Sequence, residues 1–180
     1  MSKFWKHLKT ISYHKYLVAR GCFQIGLYKQ GLLHDMSKYS PTEFLVGVKY
    51  YQGNRSPNNA EREDRGYSAA WLHHKGRNKH HYEYWIDYSV QSAEGGMVPV
   101  PMPDRYIAEM IMDRIAAAKV YEGDKYTDAS ALRYYCKRGT GQAPIHEKTA
   151  KKLLYYLELL AQEGEKAAFA RIKKELAGKK

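Results

Sequence analysis

The chain has 180 residues with 30 Lys and Arg against 19 Asp and Glu, a formal charge of +11. At 44% hydrophobic residues it can bury a core, so wholesale disorder is excluded. Two cysteines rule out a disulfide scaffold and a four-cysteine zinc site, and no apolar run approaches the roughly 20 residues that span a bilayer. The first residues, MSKFWKHLKTISYHK, carry scattered charges and no apolar stretch of a signal peptide, so a cytoplasmic protein is expected.

Residues 3–31 read as one helix, or two broken near Gly21 or Gly26, with His14, Leu17, Val18, Gly21 and Ile25 on one stripe. Ser40, Pro41 and Glu43 make a capping box that starts a helix running to about Tyr51. The polar stretch 52–66 reads as a long loop, a candidate lid. Helix is expected over YSAAWLHH, a break at Lys75-Gly76-Arg77-Asn78, and helix again over KHHYEYWIDYSV. A proline- and glycine-rich loop at 92–104 leads into a strong helix, RYIAEMIMDRIAAAKVY. A turn at GDKYTD, a short helix at ALRYYCKRG and a long amphipathic helix or pair over 146–177 complete the chain. No period-2 pattern stands out. The fold reads as all-α, a single helical bundle (1–145) with a C-terminal helical extension (146–180) packed on the same domain.

Six of the eight histidines, His14, His34 and the pairs His73-His74 and His80-His81, cluster in a few places. His14 lies on an apolar stripe, where a lone histidine is more often a hydrogen-bonded core residue than a ligand. Asp113 shares a helix facet with Met110, Ala117 and Val120, and a buried carboxylate needs a cation: Arg114, Lys119 or a metal. Imidazoles and carboxylates form the ligand set of Mn, Fe, Co, Ni and Zn, and four to six of them in one bundle hold one or two divalent ions. The adjacent pair His34-Asp35 supplies a nitrogen ligand and a carboxylate able to bridge two ions. Two ions about 3.5–4 Å apart generate a hydroxide and clamp an in-line phosphoryl displacement.

The order His14, His34-Asp35, a histidine of each pair and then Asp113 resembles the HD-domain superfamily of helical metal-dependent phosphohydrolases, which includes some di-iron oxygenases. LLHDMSK resembles its His-Asp-x-x-Lys element, and EMIMDRIAAAKVY the helix bearing its last aspartate. HDMSKYSPTEF with AWLHHKGRNKHHYEYW resembles a small uncharacterised HD-like family of bacteria and phages. The likeness covers roughly residues 10–125. It implies that His14, His34, Asp35 and Asp113 hold one ion and that Asp35 bridges to a second, held by one histidine of each pair. The doubled pairs leave the choice open; His74 and His80 are the favoured ligands, with His73 and His81 behind them or toward substrate.

The likeness also implies that Lys38 lies near the substrate phosphate. Arg55, Lys75, Arg77 and Lys79 flank the same region as phosphate-binding candidates, Lys38 and Arg77 foremost, and Glu83 is a candidate to orient a histidine. His7 and His146 are expected at the surface or in caps, and Cys22 in the core. The function implied is hydrolysis of a nucleotide or other phosphate ester by a metal-activated hydroxide, with a polynucleotide as a possible substrate and no membrane partner. The alternatives are a mixed-valence di-iron oxygenase on the same frame and a basic nucleic-acid-binding protein gripping through the neighbourhood of 75–82.

Overall fold

A computed structural model describes residues 1–90, 96–137 and 144–178. The order is α1 (Lys3–Gln24), α2 (Tyr28–Leu33), a 3-10 turn (Met36–Tyr39), α3 (Pro41–Lys49), α4 (Pro57–Arg65), α5 (Ala69–Lys75), a second 3-10 turn (Tyr82–Tyr84), β1 (Ile86–Ser89), β2 (Gly96–Pro99), α6 (Asp104–Glu122), a third 3-10 turn (Gly123–Lys125), α7 (Ser130–Lys137) and α8 (Glu147–Ala177). The chain is mostly helical, as its periodicity foretold. No helix of the described residues is long and apolar enough to cross a membrane.

Local chemistry explains the breaks. The first helix ends where Gly26 takes φ 82°, and the amide of Leu27 donates to the carbonyl of Cys22 at 2.8 Å, the closure of a Schellman motif. Val18, Cys22 and Ile25 of this segment meet Ile107, Met110, Ile111 and Ile115 of α6 and Leu153, Leu157 and Leu160 of α8 in one core. The C-terminal segment therefore shares the bundle's core. It bends at Gly164, whose φ 79° and ψ 171° are not helical, which reconciles a long helix with a pair. Cys22 is buried, as expected.

Two expectations fail. Residues 57–65 are helix rather than loop: Pro57 sits at the first position and Gly66 closes the end at φ 78°. The helix is polar almost throughout, with only Ala60 and Glu61 buried, so no apolar stripe betrayed it. Glu61 braces α4 on α5, accepting from the hydroxyl of Ser68 at 2.6 Å. The helix expected over KHHYEYWIDYSV is a 3-10 turn followed by β1, which pairs antiparallel with β2 (Ile86 opposite Pro99, Ser89 opposite Gly96). Backbone pairing, not a buried face, holds this ribbon, because Asp87, Tyr88, Met97 and Val98 are all exposed. The fold is thus helical with one small sheet rather than strictly all-α. The expected loop at 92–104 falls partly outside the described residues, as do Arg138 and Gly139 of the expected short helix.

Candidate metal centre

The turn between α2 and α3 carries His34 and Asp35 into the bundle. Asp35 has φ 53°, the one positive value of a non-glycine residue among those described. Aspartate tolerates the left-handed region better than most side chains, yet the conformation still costs about 1 kcal/mol or more. Lys15 of α1 secures the turn, donating to the carbonyls of Leu32 at 2.6 Å and His34 at 2.8 Å. The strained residue delivers its carboxylate where helices from distant parts of the chain meet, and it is 1% exposed there.

Two ligand sets share that carboxylate. The first is His14 of α1, His34, Asp35 and Asp113 of α6. His14 Nε2 lies 2.9 Å from Asp113 Oδ1, and His34 Nε2 lies 3.3 Å from Asp35 Oδ2 and 3.5 Å from Asp113 Oδ1. The second set is Asp35, His74, His80 and His81. His74 Nε2 and His80 Nε2 stand 3.3 and 3.4 Å from Asp35 Oδ1, and His74 Nε2 stands 2.9 Å from His81 Nε2. Each set's ligand atoms lie within 4.8 Å of one another, the spacing of donors around an ion. These buried clusters can hold a metal ion.

Carboxylates behind the histidines fix their orientation. Glu43 Oε1 lies 2.6 Å from His73 Nδ1 and Glu43 Oε2 lies 2.8 Å from His74 Nδ1. Glu109 Oε1 lies 2.9 Å from His34 Nδ1 and 3.3 Å from His80 Nδ1. A histidine whose Nδ1–H donates to a carboxylate presents Nε2 with its lone pair free. At His34, His74 and His80 that nitrogen faces Asp35. Asn78 locks the turn before the second histidine pair, donating to the carbonyl of His74 and the hydroxyl of Ser37, both at 2.8 Å.

The inner atoms are left without hydrogen bonds: His14 Nε2, His34 Nε2, His80 Nε2 and both oxygens of Asp35 are buried and lack a hydrogen-bond partner despite their close neighbours. Buried polar atoms are nearly always satisfied, so five such atoms around one point fit a cation site. Titration points the same way. Burial opposes charge on His34, but Asp35, Asp113 and Glu109 outweigh it and hold its pKa well above the ordinary value. Burial likewise works against ionised Asp35, while His34, Lys38 and His74 keep its pKa well below that of a free carboxylate. Burial, with His80 and His74 adding to it, pushes His81 well down.

The cluster opens on a cleft of about 420 Å³, lined by Lys38, Asp113, His74, His81 and residues of α4, α6 and α7. Lys38 Nζ is 2.7 Å from Asp35 Oδ2. Arg55 also borders the cleft, but its guanidinium is held by both carboxylate oxygens of Glu63 at 2.6 and 2.5 Å. Arg77 is exposed, rests on the carbonyl of His73 at 3.3 Å and does not line the cleft. It is therefore not placed with Lys38. Lys75 and Lys79 lie outside the lining as well.

His73 bonds Glu43 and belongs to neither ligand set, whereas both His80 and His81 belong to the second. Glu83 bonds no histidine among the described residues; Glu43 and Glu109 do that work. The sequence disguised Glu43 as the end of a capping box, yet the hydroxyl of Ser40 caps nothing. Glu109 is a full helical turn before Asp113, and that i, i+4 spacing could have revealed it. Asp113 pairs with neither Arg114 nor Lys119; the latter is held by Glu165 at 2.5 Å. His7 is buried at 6% exposure, not at the surface, and fits because Gly47 leaves it room: a Cβ there would stand 2.2 Å from its Nε2. Burial and Lys38 bring its pKa down to about 4. His146 caps α8, as expected.

No curated protein and no solved structure matches the chain. Residues 3–159 match DUF5662, described as a family of unknown function, and the chain belongs to that family.

Proposed function

We propose that this protein is a metal-dependent phosphohydrolase of the HD-domain kind, acting on a nucleotide or other phosphate ester with one or two divalent transition ions. The observation that carries the reading is the position of Asp35, whose Oδ1 faces His74 and His80 while Oδ2 faces His34 and Lys38. A carboxylate divided in this way suits a bridge between two ions. Ions so held supply Lewis acidity and a nucleophile at neutral pH.

The chain's own residues supply the rest. Glu43 and Glu109 keep the imidazoles turned inward, and their worth in such sites is about 10–100-fold in metal affinity. Lys38 borders the cleft and meets the negative charge of a phosphate. The net charge of +11 favours the approach of an anion.

The test is elemental analysis of protein purified without chelator, followed by a phosphatase and nucleotidase panel with Mn, Co, Ni, Fe and Mg. Bound metal and metal-dependent phosphate release are expected. Asp35→Asn keeps a residue that tolerates φ 53° and removes the charge, so it should abolish both while leaving the helical circular dichroism intact. Protein that takes up no transition ion overturns the reading. Iron with oxygen uptake, in place of phosphate release, moves it to the oxygenase alternative.

A further inference from the structure

Two side chains of opposite charge line the cleft without an ion pair and belong to neither ligand set. Arg114 follows Asp113 on α6 and lines the same cleft. Its Nε is buried without a hydrogen-bond partner, its Nη2 has only the sulfur of Met110 at 3.9 Å, and its guanidinium lies over the Tyr135 ring at 5.6 Å. No carboxylate of the described residues pairs with it. Glu83, two residues beyond His81, also lines the cleft. Its Oε2 is buried without a partner, and no ion pair or hydrogen bond within the described residues reaches it.

Both residues are half-buried, but each carries one buried polar atom without a partner, and such atoms are usually satisfied. Here the two signs share a cleft without pairing with each other. The cleft onto which the ion cluster opens thus offers a guanidinium and a carboxylate, each with an unsatisfied atom. Fixed groups of this kind, set in a mostly apolar pocket, orient a small ligand.

Resting on the phosphohydrolase reading, we infer that Arg114 and Glu83 select the substrate: a small phosphate ester whose phosphoryl group meets Arg114 and whose alcohol portion offers a hydroxyl or amino donor to Glu83. A guanidinium suits two phosphoryl oxygens at once. An ester lacking the donor leaves the buried Glu83 Oε2 unsatisfied in the complex, the kind of loss that discriminates strongly.

The test is calorimetric titration of the full chain, manganese-loaded and metal-free, with inorganic phosphate, propyl phosphate, glycerol phosphate and aminoethyl phosphate. In both forms, the two donor-bearing esters should bind about tenfold more tightly than propyl phosphate. Glu83→Met should erase that preference without changing affinity for inorganic phosphate. Glu83→Gln, which keeps an acceptor oxygen but not the charge, should keep the preference for the hydroxyl ester and reduce that for the amine. Arg114→Met should weaken all four ligands by about tenfold, and Arg114→Lys should restore part of the loss. Equal binding of propyl and glycerol phosphate by the wild type, or unchanged phosphate affinity in Arg114→Met, overturns the inference. Failure to take up manganese overturns the metal reading instead, and the metal-free titrations still decide this one.

Discussion

Glu175, near the end of α8, accepts from Lys152 at 2.7 Å and Tyr156 at 3.0 Å on one oxygen, and from Arg171 at 2.9 Å and Tyr155 at 3.3 Å on the other. Asp35 sits among as many polar neighbours, yet neither of its oxygens has a hydrogen bond and three facing imidazole nitrogens share that condition. One carboxylate is completed by the chain itself; the other has one ammonium, Lys38 at 2.7 Å from Oδ2, and otherwise faces imidazole nitrogens whose Nδ1 sides are engaged by Glu43 and Glu109. The lesson lies in the donor count. A structural cluster matches each acceptor with an N–H or O–H, while a cation site collects lone pairs that only a positive charge can satisfy.

The comparison can be broken by substitution. The largest effect is expected at Asp35: Asp35→Asn should lower affinity for transition ions by more than about 100-fold, read by calorimetry, since one residue serves both ligand sets. Next is Glu109→Gln, which disturbs one histidine of each set through their Nδ1 atoms and should cost about 10–100-fold at both ion positions. If only one position weakens, Glu109 is not shared between them.

Proton competition gives an intermediate effect. Because His34 is held protonated above its ordinary range in the metal-free chain, an ion must displace that proton. Ion affinity should therefore rise with pH through neutrality, and calorimetry in buffers of different ionisation enthalpy should detect proton release on uptake. An affinity that is flat between pH 6 and about 8 would contradict the raised pKa.

The smallest effect belongs to the completed cluster. Glu175→Gln should lower stability by about 1 kcal/mol, read as a melting shift, and leave ion affinity unchanged. Burial pushes the Glu175 carboxyl up, but bonds from Lys152, Arg171 and Tyr156 outweigh it and bring the pKa down to about 2. A depressed pKa means that its stabilisation is present above the unfolded value, near 4.3, and fades as pH falls toward 2. Acid melting curves of wild type and Glu175→Gln should converge over that interval.

Much of the scaffold could be read from residue order. The stripe His14, Val18, Gly21 and Ile25 sets which face of α1 is buried, Pro41 and Pro103 mark two helix starts, and Gly26 marks a helix end. The polar helix α4 escaped because its identity rests on a Pro57 start and a Gly66 stop, with little apolar surface between them. The ribbon of β1 and β2 escaped because its residues are mostly exposed and held by backbone bonds, which side-chain patterning does not report. Glu43 and Glu109 escaped for another reason. A glutamate behind a histidine looks like any helical glutamate until the partner helix is in place.

Residue order alone therefore settled the mostly helical class, the helices with an apolar stripe or a clear cap, the inward stripe bearing His14 and the stock of imidazoles and carboxylates, because periodicity and composition act over a few turns of chain. Tertiary structure decided which of those groups converge: that His80 and His81 join one set while His73 does not, that His7 is buried, and that Arg77 stays outside. Those outcomes depend on packing between residues tens of positions apart, and on a single left-handed aspartate that aims one carboxylate at both sets.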